Sequence, residues 1–467
     1  MTPVFDPLRW GAVALDVLVS GRATPDALAA RQQARLTRLL DVAVQGSRVY
    51  RERLHGKSSG SMSLGTLPIV SRSELMARFD DWVTDPQLTL AQLRVFTADP
   101  QRIGETYLGK YLIWESSGTS HQPGVFVQDA QAMAVYDALE ALRRSASRPL
   151  LRWVDPLMLT ERIAFVGAIT GHFASVVSMQ RLRRLNPWRA SSLRCFSILQ
   201  SSTALIDELN AFAPTVIATY PTAAAWLADA ACRGSLNFAP TEVWTGGETL
   251  SAAVRQRVEL ALGCTVRNSY GASEFISIAW ECSRGQLHAN TDWVILEPVD
   301  ERGRPMPAGQ LSCSTLLTNL ANHVQPLIRY DLGDQITVHH ARCACGSSFP
   351  VIEVQGRRDD ALVMAGHNGQ PVTLLPLALT TVLEDEAGVF DFQLCQRDDR
   401  TLVLRLAMQG AEAAHAAARC RTALQNFAVI QALMPIRVIV KPGQTLPKGR
   451  SGKVQRVVAH PNPKPNS

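Results

Sequence analysis

From Thr215 to Glu274 the chain reads TVIATYPTAAAWLADAACRGSLNFAPTEVWTGGETLSAAVRQRVELALGCTVRNSYGASE. Short apolar runs rich in Val, Ile, Trp and Thr alternate with longer Ala- and Leu-rich segments of helical period. The spacing predicts strands over Thr215–Thr219, Glu242–Trp244 and Thr265–Asn268, with helices over Pro221–Cys232 and Ser251–Leu262 between them. Strand, helix, strand at this spacing is the pattern of a mostly parallel sheet covered by helices, that is, an α/β fold.

Outward from this core the same rhythm continues. Strands are expected at Tyr111–Trp114, Val125–Gln128 and Arg162–Val166, and helices at Ala130–Ser145 and Thr203–Phe212. Upstream, Trp10–Val19 and Pro25–Leu54 carry apolar residues at helical spacing and read as surface helices, and Ser71 caps a further helix after Leu67-Pro68-Ile69-Val70. Strands dominate from Leu287 to Val338. A boundary is expected near Gly356–Asp360, which divides the chain into a large α/β domain over 1–357, with a strand-rich subdomain, and a small α+β domain over 358–467. Within the latter, Leu374–Glu386 and Ala411–Leu424 read as helices, and Phe390–Gln396, Thr401–Leu406 and Ile436–Val440 as strands.

Composition excludes several classes. A chain of 467 residues that is 46% hydrophobic and 19% charged is neither disordered nor a disulfide-stapled miniprotein. The net charge of +6 is scattered, without the interleaved basic and aromatic residues of a nucleic-acid surface. The apolar run Ile163–Met179 contains His172 and several polar residues, so no membrane span is expected. Nine irregularly spaced cysteines, with no secretion signal ahead of them, are expected to be reduced thiols in a cytoplasmic protein.

Five segments carry chemistry. Trp114–Gly124 (WESSGTSHQPG) is a hydroxyl- and glycine-rich loop whose amides and Ser/Thr hydroxyls suit phosphate oxygens. Trp244-Thr245-Gly246-Gly247-Glu248 and Asn268-Ser269-Tyr270-Gly271-Ala272-Ser273-Glu274 fall at strand ends, where an open α/β sheet forms its ligand crevice. Arg329-Tyr330-Asp331-Leu332-Gly333-Asp334 offers a carboxylate to sugar hydroxyls, Gly356-Arg357 opens the boundary segment, and Leu446–Arg456 is a cationic, Gly-rich loop. Each alone is more often an ordinary turn or a solvated charge cluster.

Their order and spacing resemble the adenylate-forming superfamily of acyl-CoA ligases and adenylation domains, and within it the phenylacetate-CoA ligase-like branch, from Leu67 through Arg456. The resemblance implies Ser116, Ser117, Gly118 and Thr119 in a phosphate-binding loop, with Thr119 catalytic. It implies Gly246, Gly247, Glu248, Asn268, Tyr270 and Gly271 around adenine, Glu274 as a catalytic carboxylate on Mg²⁺, and Asp334 and Arg357 on the ribose. Asp359 is implied as the hinge and Lys453 as the catalytic lysine of a C-terminal lid. The implied reaction uses ATP and Mg²⁺ to convert a carboxylic acid, aryl or arylacetic by analogy with the branch, to an acyl adenylate. The acyl group then passes to the thiol of coenzyme A or of phosphopantetheine on an acyl carrier protein. Adenylyl transfer to a hydroxyl, amide formation with an amine, and a nucleotide-binding regulator without turnover are the alternatives. The family loop usually continues Thr-Gly-Lys-Pro, whereas Ser120-His121-Gln122-Pro123 lacks the lysine. One phosphate-facing cation is missing, which bears on ATP affinity more than on catalysis, because Lys453 remains.

Two further features stand apart. Cys282, His288, Cys343 and Cys345 are of the residue types Zn²⁺ prefers, though the sequence alone leaves packed thiols equally open. His172 reads either as a pocket residue or as a core histidine.

Overall fold

The computed structural model describes the chain apart from residues 1–3, 55–63, 117–123, 144–154, 156–159, 168, 170, 198–201, 340, 358–361, 368, 370, 375–378, 380–381, 390, 448–454 and 460–467. The N-terminal segment is helical: α1 (Pro7–Ser20), α2 (Pro25–Gly46), α3 (Arg48–Arg53), α4 (Arg72–Ala77), α5 (Phe79–Trp82) and α6 (Leu90–Thr97). Asp6, Thr24, Ser47, Ser71 and Thr89 cap five of these helices by accepting backbone N–H bonds that would otherwise lack partners. A hairpin of β1 (Leu112–Glu115) and β2 (Val125–Gln128) leads into α7 (Ala130–Arg143).

The alternating region follows as β3 (Ile163–Gly167), α8 (Ala174–Leu185), β4 (Leu193–Ser197), α9 (Ser202–Phe212), β5 (Val216–Thr219), α10 (Pro221–Cys232), β6 (Glu242–Thr245), α11 (Ala252–Leu262) and β7 (Thr265–Ala272). Local chemistry sets these boundaries. Pro221 occupies the first turn of α10, where no intrahelical N–H is needed. Ser251 accepts from Val254 N to start α11, and Gly263, at φ 62°, ends it in the left-handed region.

Strands β8 (Phe275–Glu281), β9 (Leu287–Ala289), β10 (Val294–Val299), β11 (Ser314–Asn319), β12 (Tyr330–Asp331), β13 (Asp334–His339) and β14 (Val351–Arg357) complete the large region. Among the described residues a nine-stranded sheet runs β13-β14-β9-β8-β7-β6-β5-β3-β4. Strands β4 to β7 are parallel, and the sheet turns antiparallel at β7–β8. Thr219, Thr245 and Asn268 therefore lie side by side, Thr219 and Thr245 at the carboxyl ends of their strands and Asn268 where the parallel pairing of β7 ends. Phe196, Leu209, Ile217, Leu227, Val243 and Val258 fill the layer between this sheet and α9–α11, each burial contributing about 1.5–3 kcal/mol.

The C-terminal residues form β15 (Leu362–Ala365), β16 (Pro371–Leu374), β17 (Phe392–Gln396), β18 (Thr401–Leu406), α12 (Ala411–Ile430), β19 (Arg437–Lys441) and β20 (Val457–Val458). They enclose a core of their own around Phe392, Leu394, Leu404, Cys420 and Leu424. The helix expected over Leu374–Glu386 is corrected at its start: Leu374 ends strand β16, opposite Leu362. Leu379 is helical and Val382–Glu386 is a π-helix, while 375–378 and 380–381 lie outside the described residues. Strand β4 and helix α8 were not anticipated as separate elements. Strand β7 extends four residues past Asn268, so the Asn268–Ala272 motif is itself strand.

Candidate active site

Two adjoining features of the β1–β2 hairpin hold the neck of the phosphate-type loop closed. Ser116 N donates to Gly124 O at 2.8 Å, and Gly124 N donates to Ser116 Oγ at 2.8 Å. Ser117, Gly118 and Thr119 lie outside the described residues. Sequence reasoning did not single out Arg72. It is the first residue of α4, its Nη1 lies 3.4 Å from Ser116 Oγ, and its stem passes close enough to Gly124 that a Cβ there would meet Arg72 Cδ at 3.3 Å. The preceding residue pair is fixed from elsewhere: Val70 N donates to Arg329 O and Asp331 N donates to Val70 O. A signal did exist in the sequence, since a cation at the first position of a helix sits at the end where the dipole disfavours it.

Strand β6 delivers Gly246 and Gly247 after Thr245. Gly247 takes φ 76°, and a Cβ on Gly246 would come within 3.1 Å of Ser269 Oγ. Gly271 is the tightest position, because a Cβ there would lie 2.0 Å from Ile276 O at the β7–β8 irregularity. The turn after it holds Glu274, buried, whose Oε1 accepts from Tyr330 Oη at 2.7 Å. Trp114 Nε1 donates to Ser273 O at 2.8 Å, which ties this turn to the strand entering the phosphate-type loop. Tyr270 Oη donates to Asp334 Oδ2 at 2.6 Å, and Asp334 faces Arg357 across β13–β14.

A cavity of about 1030 Å³ unites part of this set. Arg72, Ser116, Gly246, Gly247, Gly271 and Glu274 line one end. Tyr270, Asp334 and Glu248 are not among its described lining residues, and Asn268 borders a separate small recess with Arg267 and Glu281. Asn268 is engaged within the fold, its Oδ1 accepting from Thr245 Oγ1 at 3.1 Å and its backbone N donating to Glu281 at 3.0 Å. The side chain of Arg357, together with Asp359 and Lys453, lies outside the described residues.

The other end of the cavity runs between two helices. Met133 and Tyr136 of α7 face Ala174, Ser178 and Met179 of α8, with Phe165, Phe173 and Ala218 between them. Asp137 is neutralised there by Arg181 through two 2.9 Å bonds. His172 is a core residue: fully buried, with Nε2 2.9 Å from Asp99 O and its ring edge-on to Phe96 at 5.5 Å. Its neighbour Phe173 faces the cavity instead.

The Cys/His cluster is separate from this cavity. The ligand atoms of Cys282, His288, Cys343 and Cys345 all lie within 4.8 Å of one another. Burial pushes the His288 imidazole below its usual pKa and so favours the neutral, metal-binding form. Three thiols and an imidazole are a donor set that fits zinc.

No family model matches the chain. A curated phenylacetate-coenzyme A ligase of Thermus thermophilus is 33% identical over 132 residues, 27% of this chain and 29% of that protein. Protein CapK of Staphylococcus aureus is 27% identical over 137 residues, 29% of each. The matched part thus spans under a third of the length of these curated relatives. A solved structure of a 2-hydroxyisobutyryl-CoA ligase, in its postadenylation state with R3-HIB-AMP, covers 92% of this chain and 89% of its own at a TM-score of 0.65 and 18% identity. In fold, then, this chain is similar to that CoA ligase, and the stretch of sequence that aligns is similar to part of a phenylacetate-coenzyme A ligase.

Proposed function

We propose that the protein activates a carboxylic acid with ATP, forming an acyl adenylate and pyrophosphate, and then passes the acyl group to a thiol with release of AMP. The observation that carries this reading is the single cavity joining Ser116, Gly246, Gly247 and Glu274 to a pocket walled by Phe165, Phe173, Tyr136 and Met179. The polar end suits a nucleotide triphosphate, and the apolar end suits an aryl or arylacetic acid. Held there, the carboxylate oxygen attacks the α-phosphorus as the bond to pyrophosphate breaks, a reaction that depends on positioning and charge neutralisation. Arg72 supplies a cation at the loop neck, and it would offset the lysine that the sequence Ser120-His121-Gln122-Pro123 lacks. Glu274, oriented by Tyr330, is the residue to hold Mg²⁺, which when bound offsets phosphate charge. Asp334, through Tyr270 and opposite Arg357, would meet the ribose.

Residues 358–467, with a core of their own, would act as a lid hinged at Asp359 that brings Lys453 to the α-phosphate and then turns away for the thiol. Coenzyme A is the acceptor the relatives' names favour, with a carrier-protein phosphopantetheine as the second choice. The nine free thiols support a reducing, cytoplasmic setting, and no described helix is long and apolar enough to cross a membrane. The Cys/His cluster lies outside the reaction, and zinc there would be structural. The test is acid-dependent pyrophosphate release across a panel of aryl, arylacetic and short hydroxy acids, repeated with coenzyme A and with carrier protein. Release without any acid, or none with every acid, would remove the proposal; adenylylated hydroxyl or amide products would redirect it.

A further inference from the structure

We propose that Cys282, His288, Cys343 and Cys345 bind one Zn²⁺ ion in a closed site, and that this ion clips strand β14 to the β8–β9 hairpin. The four residues come from three segments: Cys282 follows β8, His288 lies in β9, and Cys343 and Cys345 sit in the loop between β13 and β14. Cys282 Sγ and Cys343 Sγ are 3.9 Å apart, and Cys345 Sγ is 3.3 Å from His288 Nε2. Sulfurs on a tetrahedral zinc at bonds of ~2.3 Å stand roughly 3.8 Å from one another, whereas a disulfide would bring them to about 2 Å. The sulfur pair matches the first spacing and not the second.

The surroundings are those of a built site. His288 Nδ1 lies 2.7 Å from Phe349 O. A carbonyl only accepts, so Nδ1 carries the proton and Nε2, on the side of the sulfurs, is the ligand. Backbone N–H groups of Arg284 and Ser347 donate to Cys282 Sγ at 3.4 Å and Cys345 Sγ at 3.5 Å, each two residues past its cysteine. Gly346 N closes a turn onto Cys343 O, and Gly346 takes φ 85°, which lets both sulfurs of Cys343-Ala344-Cys345 turn to one point. Binding is balanced as three thiols releasing three protons to give a zinc tris-thiolate imidazole complex of charge −1. Three soft thiolates select zinc over Mg²⁺ or Ca²⁺, and four protein donors leave no position for a substrate.

The consequence lies in β14. It pairs with β9 at only two positions, Val351 with His288 and Ile352 with Leu287, yet its other end sets Arg357 opposite Asp334. β13 holds the other edge of β14 at five positions, so among the described residues the β13–β14 hairpin meets β9 through these two pairs and the Ala289 N to Pro350 O bond, a short seam that the metal would reinforce. The cluster is independent of the acid, the acceptor and the turnover proposed above.

The full chain, purified without chelator, should contain about one zinc per molecule. Its cobalt-substituted form should show thiolate-to-metal charge-transfer absorption with tetrahedral visible bands. Cys343→Ser/Cys345→Ser should lose the metal, while Cys232→Ser, at an exposed cysteine elsewhere, keeps it. Hydrogen exchange over residues 351–356 should be about tenfold faster after zinc removal. Less than about a tenth of an equivalent after zinc supplementation, or retention by the double variant, overturns the site. Should the double variant fail to fold, the wild-type cobalt spectrum decides alone, and absence of the thiolate band overturns it. Unchanged exchange over 351–356 overturns the clip.

Discussion

Replacing Arg72 with alanine separates a phosphate-facing cation from a helix-start residue. The guanidinium stands 3.4 Å from Ser116 Oγ at the neck of the phosphate-type loop and lines the cavity. A pair of opposite unit charges 4 Å apart gains about 4 kcal/mol at an effective dielectric of 20, and a hydrogen bond to a charged group contributes about 1.5–3 kcal/mol net. Arg72 is only half-buried, so the lower part of that range applies. A loss of about 2 kcal/mol corresponds to roughly a 30-fold fall in kcat/KM for ATP. Stability should move the other way if at all, because a cation in the first turn of α4 opposes the helix dipole and its removal would gain a few tenths of a kcal/mol. The assay is acid-dependent ATP–pyrophosphate exchange over an ATP titration, with thermal melting run in parallel and Arg72→Lys as the variant that retains charge. Arg72→Lys should recover part of the loss. A folded Arg72→Ala protein with wild-type kcat/KM for ATP would refute the assignment, and a drop in Tm of several degrees would make Arg72 a structural residue.

Lys453→Ala should lower acid-dependent exchange by about 10²- to 10³-fold while a synthetic acyl adenylate is still converted to thioester; wild-type exchange in the folded variant would remove the lysine from the mechanism. Gly271→Ala should cost on the order of 2–4 kcal/mol in urea unfolding, since its Cβ would lie 2.0 Å from Ile276 O, a backbone atom that cannot swing aside, whereas Gly246→Ala meets Ser269 Oγ at 3.1 Å and Ser269 O at 3.3 Å, contacts relieved by a shift of a few tenths of an ångström, and should cost about 1 kcal/mol. Equal stability of the two variants would contradict the packing described for the β7–β8 turn. Burial, aided by the nearby Arg38 cation, pushes the His323 imidazole down to about 4. The unfolded chain therefore takes up this proton first as pH falls below about 6.5, and stability should drop by on the order of 2 kcal/mol between pH 6.5 and 5. His323→Gln should flatten that slope, as read by urea midpoints across the range; an unchanged slope would assign the acid sensitivity to other groups.

The parallel half of the large sheet was legible because its signals are local. Pro221 and the Ala-rich run after it, Ser251 before α11 and Gly263 behind it mark helix ends within a few residues of chain, and β5 to β7 follow from the gaps between them. Reading failed where apolar spacing was ambiguous: Leu374, Leu379, Val382 and Leu383 are all buried, at near-helical intervals, yet the first ends a strand. The cavity-lining glycines Gly246, Gly247 and Gly271 were found because glycine announces itself. Arg72 was not, and Trp114 and Tyr330 stood in quoted motifs without a role, because what gives the three meaning is contact across 44, 159 and 56 residues of chain with Ser116, Ser273 and Glu274. Asn268 shows the converse: the motif that names it is plain in the sequence, but its side chain is spent on Thr245, inside the sheet.

The cavity's two ends are built from different kinds of element, and this shapes how the protein can change. The end proposed for the nucleotide is made of glycines and a carboxylate, where a single added methyl meets backbone. The end proposed for the acid is lined by side chains of α7 and α8, positions at which volume can be traded between Met133, Ser178 and Met179 without moving a strand. On the proposed function, a lineage of such proteins can wander among acids while its ATP chemistry stands still. A laboratory seeking a new acid substrate has a short alphabet of positions in which to write it.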